Sequence, residues 1–292
     1  MKNMMLPVIL LALAGVPASA QSTVDQRRAA EPDGLVEIEN PAGSIHVLGW
    51  DKNEVVVTGA LGPRAEGLEF RGGAHRTTIS VETAGNPHSV KSDLKIQVPL
   101  NSRLEIEGFA ATIRIEGVNG PVTAETVNGT ITMKGGSKEV DLQSVNGSVE
   151  VASPATRVHA EAVNGSVTVR EASGEVDAST VNGTLTVIGG TFTRARLETV
   201  SGRIIFEGAL GKTATLDAES VSGSVDLALA ANVSADFSIS SFSGDIENEL
   251  GPPARKASRW TSEKELSFST GAGGAKVTVE TLSGNIRLRK RP

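Results

Sequence analysis

Four asparagines are the residues best placed to do chemistry. Asn128, Asn146, Asn164 and Asn182 stand 18 residues apart, each followed by glycine and then by serine or threonine. Each therefore matches the acceptor pattern for N-glycosylation. The match follows automatically wherever a turn precedes a β-forming residue, so a structural role is the stronger reading. In that role the four amides, with Gly129, Gly147, Gly165 and Gly183, form a corner ladder. Stacked side chains hydrogen-bond up and down it, and asparagine tolerates the left-handed backbone that a tight corner is expected to need.

Carboxylates form the second candidate group. Aligned on the same 18-residue step, Asp141, His159, Asp177, Arg196 and Asp217 fall in one column, and Gln143, Glu161, Ser179, Glu198 and Glu219 in its neighbour. Asp141, Glu161, Asp177, Glu198, Asp217 and Glu219 thus make a candidate interaction face for calcium or a cationic partner. Calcium requires several oxygens converging on one point. From Asp141 to Arg196 each rung carries a single carboxylate that switches column, an arrangement that avoids stacking like charges and suits a solvated face. Thr130/Thr132, Ser166/Thr168 and Thr184/Thr186 resemble the flat arrays of ice-binding proteins, but Glu150, Ile205 and Asp226 interrupt them. His46, His75, His88 and His159 lack ligand spacing. No nucleophile elbow, phosphate loop or metal motif is present, so no catalytic, cofactor-binding or metal-ligating residue is assigned and no cofactor is expected. Arg287, Arg289, Lys290 and Arg291 form a small basic tail, suited to anionic envelope polymers or to protecting a last edge strand.

These positions are ordered by a repeat. Val127-Asn128-Gly129-Thr130 recurs at Val145, Val163 and Val181, and serine replaces asparagine at Val200-Ser201-Gly202, Val221-Ser222-Gly223, Phe242-Ser243-Gly244 and Leu282-Ser283-Gly284. Between corners the chain alternates apolar and polar residues, as in Val149-Glu150-Val151 and Val158-His159-Ala160-Glu161-Ala162. Period two places one face inward and one outward. An Asn-Gly hairpin meander is the rival architecture. Like residues at like repeat positions (Val149, Val167, Leu185, Ile204, Val225, Ile286) favour coils stacked in parallel register instead. The expectation is an all-β, right-handed parallel β-helix or β-solenoid with coils of about 18–21 residues. About thirteen coils at roughly 4.8 Å each make a rod on the order of 60 Å long.

Composition bounds the rest. Residues 1–20 read as a signal peptide: Lys2, an apolar run from Met4 to Val16, and a small-x-small site at Ala18-Ser19-Ala20. Residues 21–34 read as an N-terminal lead or cap, and 35–290 as the solenoid, with excursions near 60–95 and 249–276. The chain carries no cysteine, so disulfides and thiolate metal sites are excluded. A net charge of −6 and 3% aromatic residues argue against nucleic-acid binding. No later stretch is apolar enough to span a bilayer.

The repeated Val-Asn-Gly-(Ser/Thr)-Val pattern, with Ser44-Ile45-His46-Val47, Gly49-Trp50-Asp51, Val98-Pro99 and Thr281-Leu282-Ser283-Gly284-Asn285-Ile286, resembles the DUF4097 family of bacterial "putative adhesins" over about residues 35–290. The resemblance implies a β-solenoid in the periplasm or at the cell surface, and it supplies no catalytic residues. The function expected is a non-catalytic, exported solenoid that presents a rigid surface for cell-envelope interaction or adhesion. Envelope polysaccharide or another surface protein would be the partner. The alternatives are a β-helical polysaccharide-active enzyme, with its site near one excursion, and a scaffold that stacks end to end.

Overall fold

Alternating side chains drive the architecture. In β10 (Glu139–Asn146), Val140, Leu142 and Ser144 are buried and their neighbours are not; in β11 (Val149–Ala152) the two valines face in. Each coil therefore contributes two short inward-facing rows, too few to form a core alone, and becomes stable only by lying on another coil. The computed structural model describes residues 22–83, 90–258, 260 and 262–291, and the leader expected over residues 1–20 lies outside them. Among the described residues all regular structure is β, in one mixed sheet system without a helix.

The central coils stack in parallel at the expected step. β8 (Val122–Asn128), β10, β12 (Arg157–Asn164) and the long bent β14 (Gly174–Ser222) pair so that Val122, Val140, Val158 and Val176 align. On the facing wall β9 (Ile131–Lys134), β11, β13 (Val167–Arg170) and β14 align Ile131, Val149, Val167 and Leu185. Successive Val-Asn-Gly segments are parallel neighbours, which excludes the hairpin meander. The buried side chains are mostly valine, isoleucine, leucine and alanine. Phe192 and Phe206 are the largest fully buried side chains among the described residues, with ring centroids 5.5 Å apart.

Coil order departs from chain order at both ends. At one end β2 (Leu35–Trp50) lies between β7 (Arg103–Glu116) and a coil made of β5 (Arg76–Thr83) and β6 (Lys91–Pro99). At the other, β20 (Ala275–Ser283) and β21 (Ile286–Arg291) insert between the coil of β14 and β15 (Val225–Ala230) and that of β16 (Ala235–Ser243) and β17 (Ile246–Asn248). The spatial sequence is 76–99, 35–50, 103–116, 122–134, 139–152, 157–170, 174–188, 194–207, 214–230, 275–291 and 235–248. Those eleven coils replace the expected thirteen.

The two expected excursions account for the difference. Residues 60–95 are strand-rich: β5 and β6 join the stack, while β3 (Glu54–Leu61) and β4 (Ala65–Gly72) lie antiparallel on β6 and β5. β1 (Ser22–Ala29) then pairs antiparallel with β3. Within 249–276, β19 (Lys264–Thr270) lies antiparallel on β16, and β18 (Arg255–Lys256) on β19. Antiparallel strands satisfy the last parallel edge while breaking the register that would invite further coils, a common protection of sheet ends.

Candidate interaction face

The asparagine corner sets the geometry of the site. The Nδ2 groups of Asn146, Asn164 and Asn182 each donate to the Oδ1 of the asparagine one coil below, at 3.0 Å in all three cases. The accompanying glycines are packed closely. A methyl group on Gly147, Gly165 or Gly183 would sit 1.9–2.1 Å from the carbonyl oxygen of the glycine below. Neither these glycines nor the asparagines have positive φ; Glu171 is the sole non-glycine residue that does, among the described residues. The expected left-handed corner is therefore corrected: glycine is needed because the next backbone occupies the space of a Cβ.

This corner turns the preceding residue outward. Val145, Val163, Val181, Val200, Val221, Leu282 and Phe242 follow one another along the rod, each 38–56% exposed. Sequence reasoning counted these residues only as part of the repeat motif. The signal was there in the parity: Val158, Ala160 and Ala162 face inward, so Val163 must face out. Beneath the stripe sits a row of buried hydroxyls. Ser144, Thr180 and Ser241 donate to the carbonyls of Gly129, Gly165 and Gly284 at 2.8–3.1 Å, while Thr199, Ser220 and Thr281 have no partner.

The glutamate column runs beside the stripe. Glu39, Glu107, Glu125, Gln143, Glu161 and Ser179 are register partners on successive coils, and Glu219 pairs with Glu280. Of the proposed face, Glu161, Glu198 and Glu219 stand in this column, and Asp141, Asp177 and Asp217 stand one column further from the corner. From Asp141 to Ser179 the register keeps the expected spacing, with Asp141 on His159 on Asp177 and Gln143 on Glu161 on Ser179, whereas outside that span like charges do stack. Glu39, Glu107 and Glu125 stack directly, and so do Glu219 and Glu280, because coil 275–291 inserts where chain order would not put it. Within single strands some charges are offset. Gln143 Nε2 donates to Asp141 at 3.1 Å, His159 lies 3.3 Å from Glu161, and Arg196 lies 2.5 Å from Glu198. The hydrogen bond to Glu198 holds the Arg196 guanidinium above its ordinary pKa. Between stripe and column run open grooves of about 570 Å³, around Glu198, Val200, Glu219, Val221 and Phe242, and about 350 Å³, around Glu125, Val145 and Glu161.

The stacked, corner-punctuated coils match one family model, described as Toastrack DUF4097, over residues 187–289. Residues 187–289 are a DUF4097 match. Solved structures with some likeness are a "putative adhesin" from Parabacteroides distasonis (10% identity, 92% of this chain and 98% of that chain, TM-score 0.39), one from Parabacteroides merdae (8%, 91% and 95%, 0.35) and one from Bacteroides fragilis (12%, 92% and 98%, 0.30). At this level of similarity neither fold nor function carries over. No curated protein matches the chain.

The matched segment also holds a charged cluster on the opposite wall. Asp226, 8% exposed, lies 3.5–3.9 Å from Arg203, Arg287 and Arg289. Arg287 also reaches Glu247 at 2.7 Å, the contact that raises its pKa, and Arg291 reaches Glu207 at 3.5 Å. The expected basic tail is thus strand β21, lying between β15 and β17 over Ile286–Leu288, with its arginines paired to acids. Asp226 belongs to this pairing and not to a threonine array. The histidines are dispersed: His46 lies 3.7 Å from Glu116, His75 lies 2.6 Å from Glu31, and His88 lies outside the described residues. Among the described residues no three histidines or carboxylates converge to hold a metal ion, and no helix is long and apolar enough to cross a membrane.

Proposed function

We propose that this chain is a non-catalytic, exported β-solenoid with a right-handed coil, presenting a rigid face for cell-envelope interaction or adhesion. The observation that carries the reading is the exposed apolar stripe from Val145 to Phe242, held in line by the stacked corners and bordered by Glu161, Glu198, Glu219 and Glu280. Isolated exposed valines are ordinary, whereas a contiguous apolar band with a polar rim marks interaction surfaces. Stacked coils suit such a role because side chains at one repeat position share one rigid spacing and bind without ordering a loop.

The excursions that a polysaccharide-active enzyme would use to wall a groove are cap strands instead, which favours binding over turnover. The same caps break the parallel register at both ends, which disfavours end-to-end stacking of copies.

Retention of the purified mature chain on intact envelopes, peptidoglycan and isolated envelope polysaccharides tests the proposal. The expected result is retention on at least one of them without release of reducing or unsaturated sugars. The Val200→Asp/Val221→Asp variant should lose at least tenfold in bound fraction while keeping its melting profile. Sugar release, or no retention on any of the three, overturns the reading.

A further inference from the structure

The stripe and its border together specify a partner chemistry. We infer that the groove docks a basic amphipathic helix of about twenty residues from another protein, an inference that rests on the stripe being the interaction face.

Charge argues first. Along the seven rungs of the stripe the neighbouring column reads Gln143, Glu161, Ser179, Glu198, Glu219, Glu280 and Ser240, and Glu125, Glu107 and Glu39 continue it on the coils beyond Val145. Coils stand about 4.8 Å apart, so this border repels anionic polymers and lipid headgroups and attracts cations. The carboxylates do not converge on a point that could hold a metal ion, among the described residues. The cations it suits are therefore distributed along a chain. A purely polar polycation would leave the neighbouring valines, leucine and phenylalanine in water, so the partner must bring apolar side chains on the same face.

Spacing then selects the partner's conformation. Seven rungs from Val145 to Phe242 span about 29 Å at 4.8 Å per interval, the length of a helix of about twenty residues. Such a helix presents its apolar stripe once per turn of about 5.4 Å, close to the coil spacing. A strand laid along the rod would repeat its apolar face only every ~6.7 Å and fall out of step within three coils. Lysines and arginines flanking a helical stripe reach sideways along their apolar stems, which is where the glutamates stand. At the far end Glu263 joins Phe242 in lining the groove and adds a further carboxylate there.

Fluorescence anisotropy with the mature protein tests this, using three labelled probes. They are a 20-residue leucine–lysine peptide with leucines at helical spacing, a peptide of the same composition with leucines alternating, and poly-L-lysine. The helical peptide should bind at least tenfold more tightly than the other two and gain helicity in circular dichroism on binding. Val200→Ser/Val221→Ser should weaken it about tenfold, and Glu198→Gln/Glu219→Gln should weaken it and flatten its salt dependence. All four changes are on exposed or rim positions, and matched melting curves establish that the variants fold. Equal binding of the three probes, or indifference to the valine substitutions, overturns the inference. Envelope retention without preference for the helical peptide overturns it while leaving the adhesion reading intact. Peptide preference without envelope retention does the reverse.

Discussion

The corner glycines show how much a single missing methyl group can decide. A Cβ on Gly165 would stand 2.0 Å from the carbonyl oxygen of Gly147, and that oxygen belongs to a backbone fixed by the ladder. Gly165→Ala must push two coils apart, and overpacking of this kind costs about 1–3 kcal/mol or more. Gly73 is the control: a methyl there meets nothing within 4 Å, and its φ is not positive. Gly73→Ala should be neutral or slightly stabilising, by up to about 1 kcal/mol through the unfolded chain. Urea midpoints of the two variants check the contrast, and equal losses would contradict the packing account. The corner itself was legible in the Asn-Gly repeats. Its cause was not, because a sequence displays a glycine without displaying which of its two freedoms, positive φ or close approach, is in use.

At the scale of strands, the row of hydroxyls beneath the stripe separates useful from idle polar burial. Thr180 donates to Gly165 at 2.8 Å, whereas Thr199, at the same repeat position on the next coil, has no partner. Thr180→Val removes a donor from a buried carbonyl and should cost about 1 kcal/mol. Thr199→Val removes an unpaired buried hydroxyl at nearly constant volume and should be neutral or stabilising. Thermal unfolding of both variants tests the opposite signs. The strands themselves were readable, since Val149, Val151 and Val158, Ala160 declare their inward faces by parity. The stripe of Val163 and its equivalents was equally readable by that parity but hidden inside the motif that announced the repeat. The cap strands were not readable as caps. Residues such as Leu266 and Phe268 in β19 look like any other strand residues, and only the antiparallel partner Phe237, stacked on Phe268 at 4.5 Å, reveals their role.

Across the whole molecule, the least legible feature is the one that couples the chain's end to its fold. An 18-residue repeat says that coils stack, but nothing in Leu282-Ser283-Gly284 says that it lies against Val221 rather than beyond Phe242. The consequence is mechanical. β16 finds its parallel neighbour only in β20, and β17 only in β21, so residues 235–248 cannot complete their hydrogen bonds until residues 275–291 are present. Pairs such as Val225 with Ile286 close long loops before they gain burial, which makes them late to form. A chain ending at residue 274 should therefore lose amide-exchange protection throughout 235–270, while 122–188, whose partners lie within neighbouring coils, stays protected. Adding a peptide spanning residues 271–291 should restore the lost protection, since it finds its own parallel edge on β14 and β15 and then offers one to β16 and β17. If 235–270 stayed protected in the truncated chain, β16 would have to stack directly on β14. The inserted coil would then be an ornament of the end and not the element that joins the last coil to the rod.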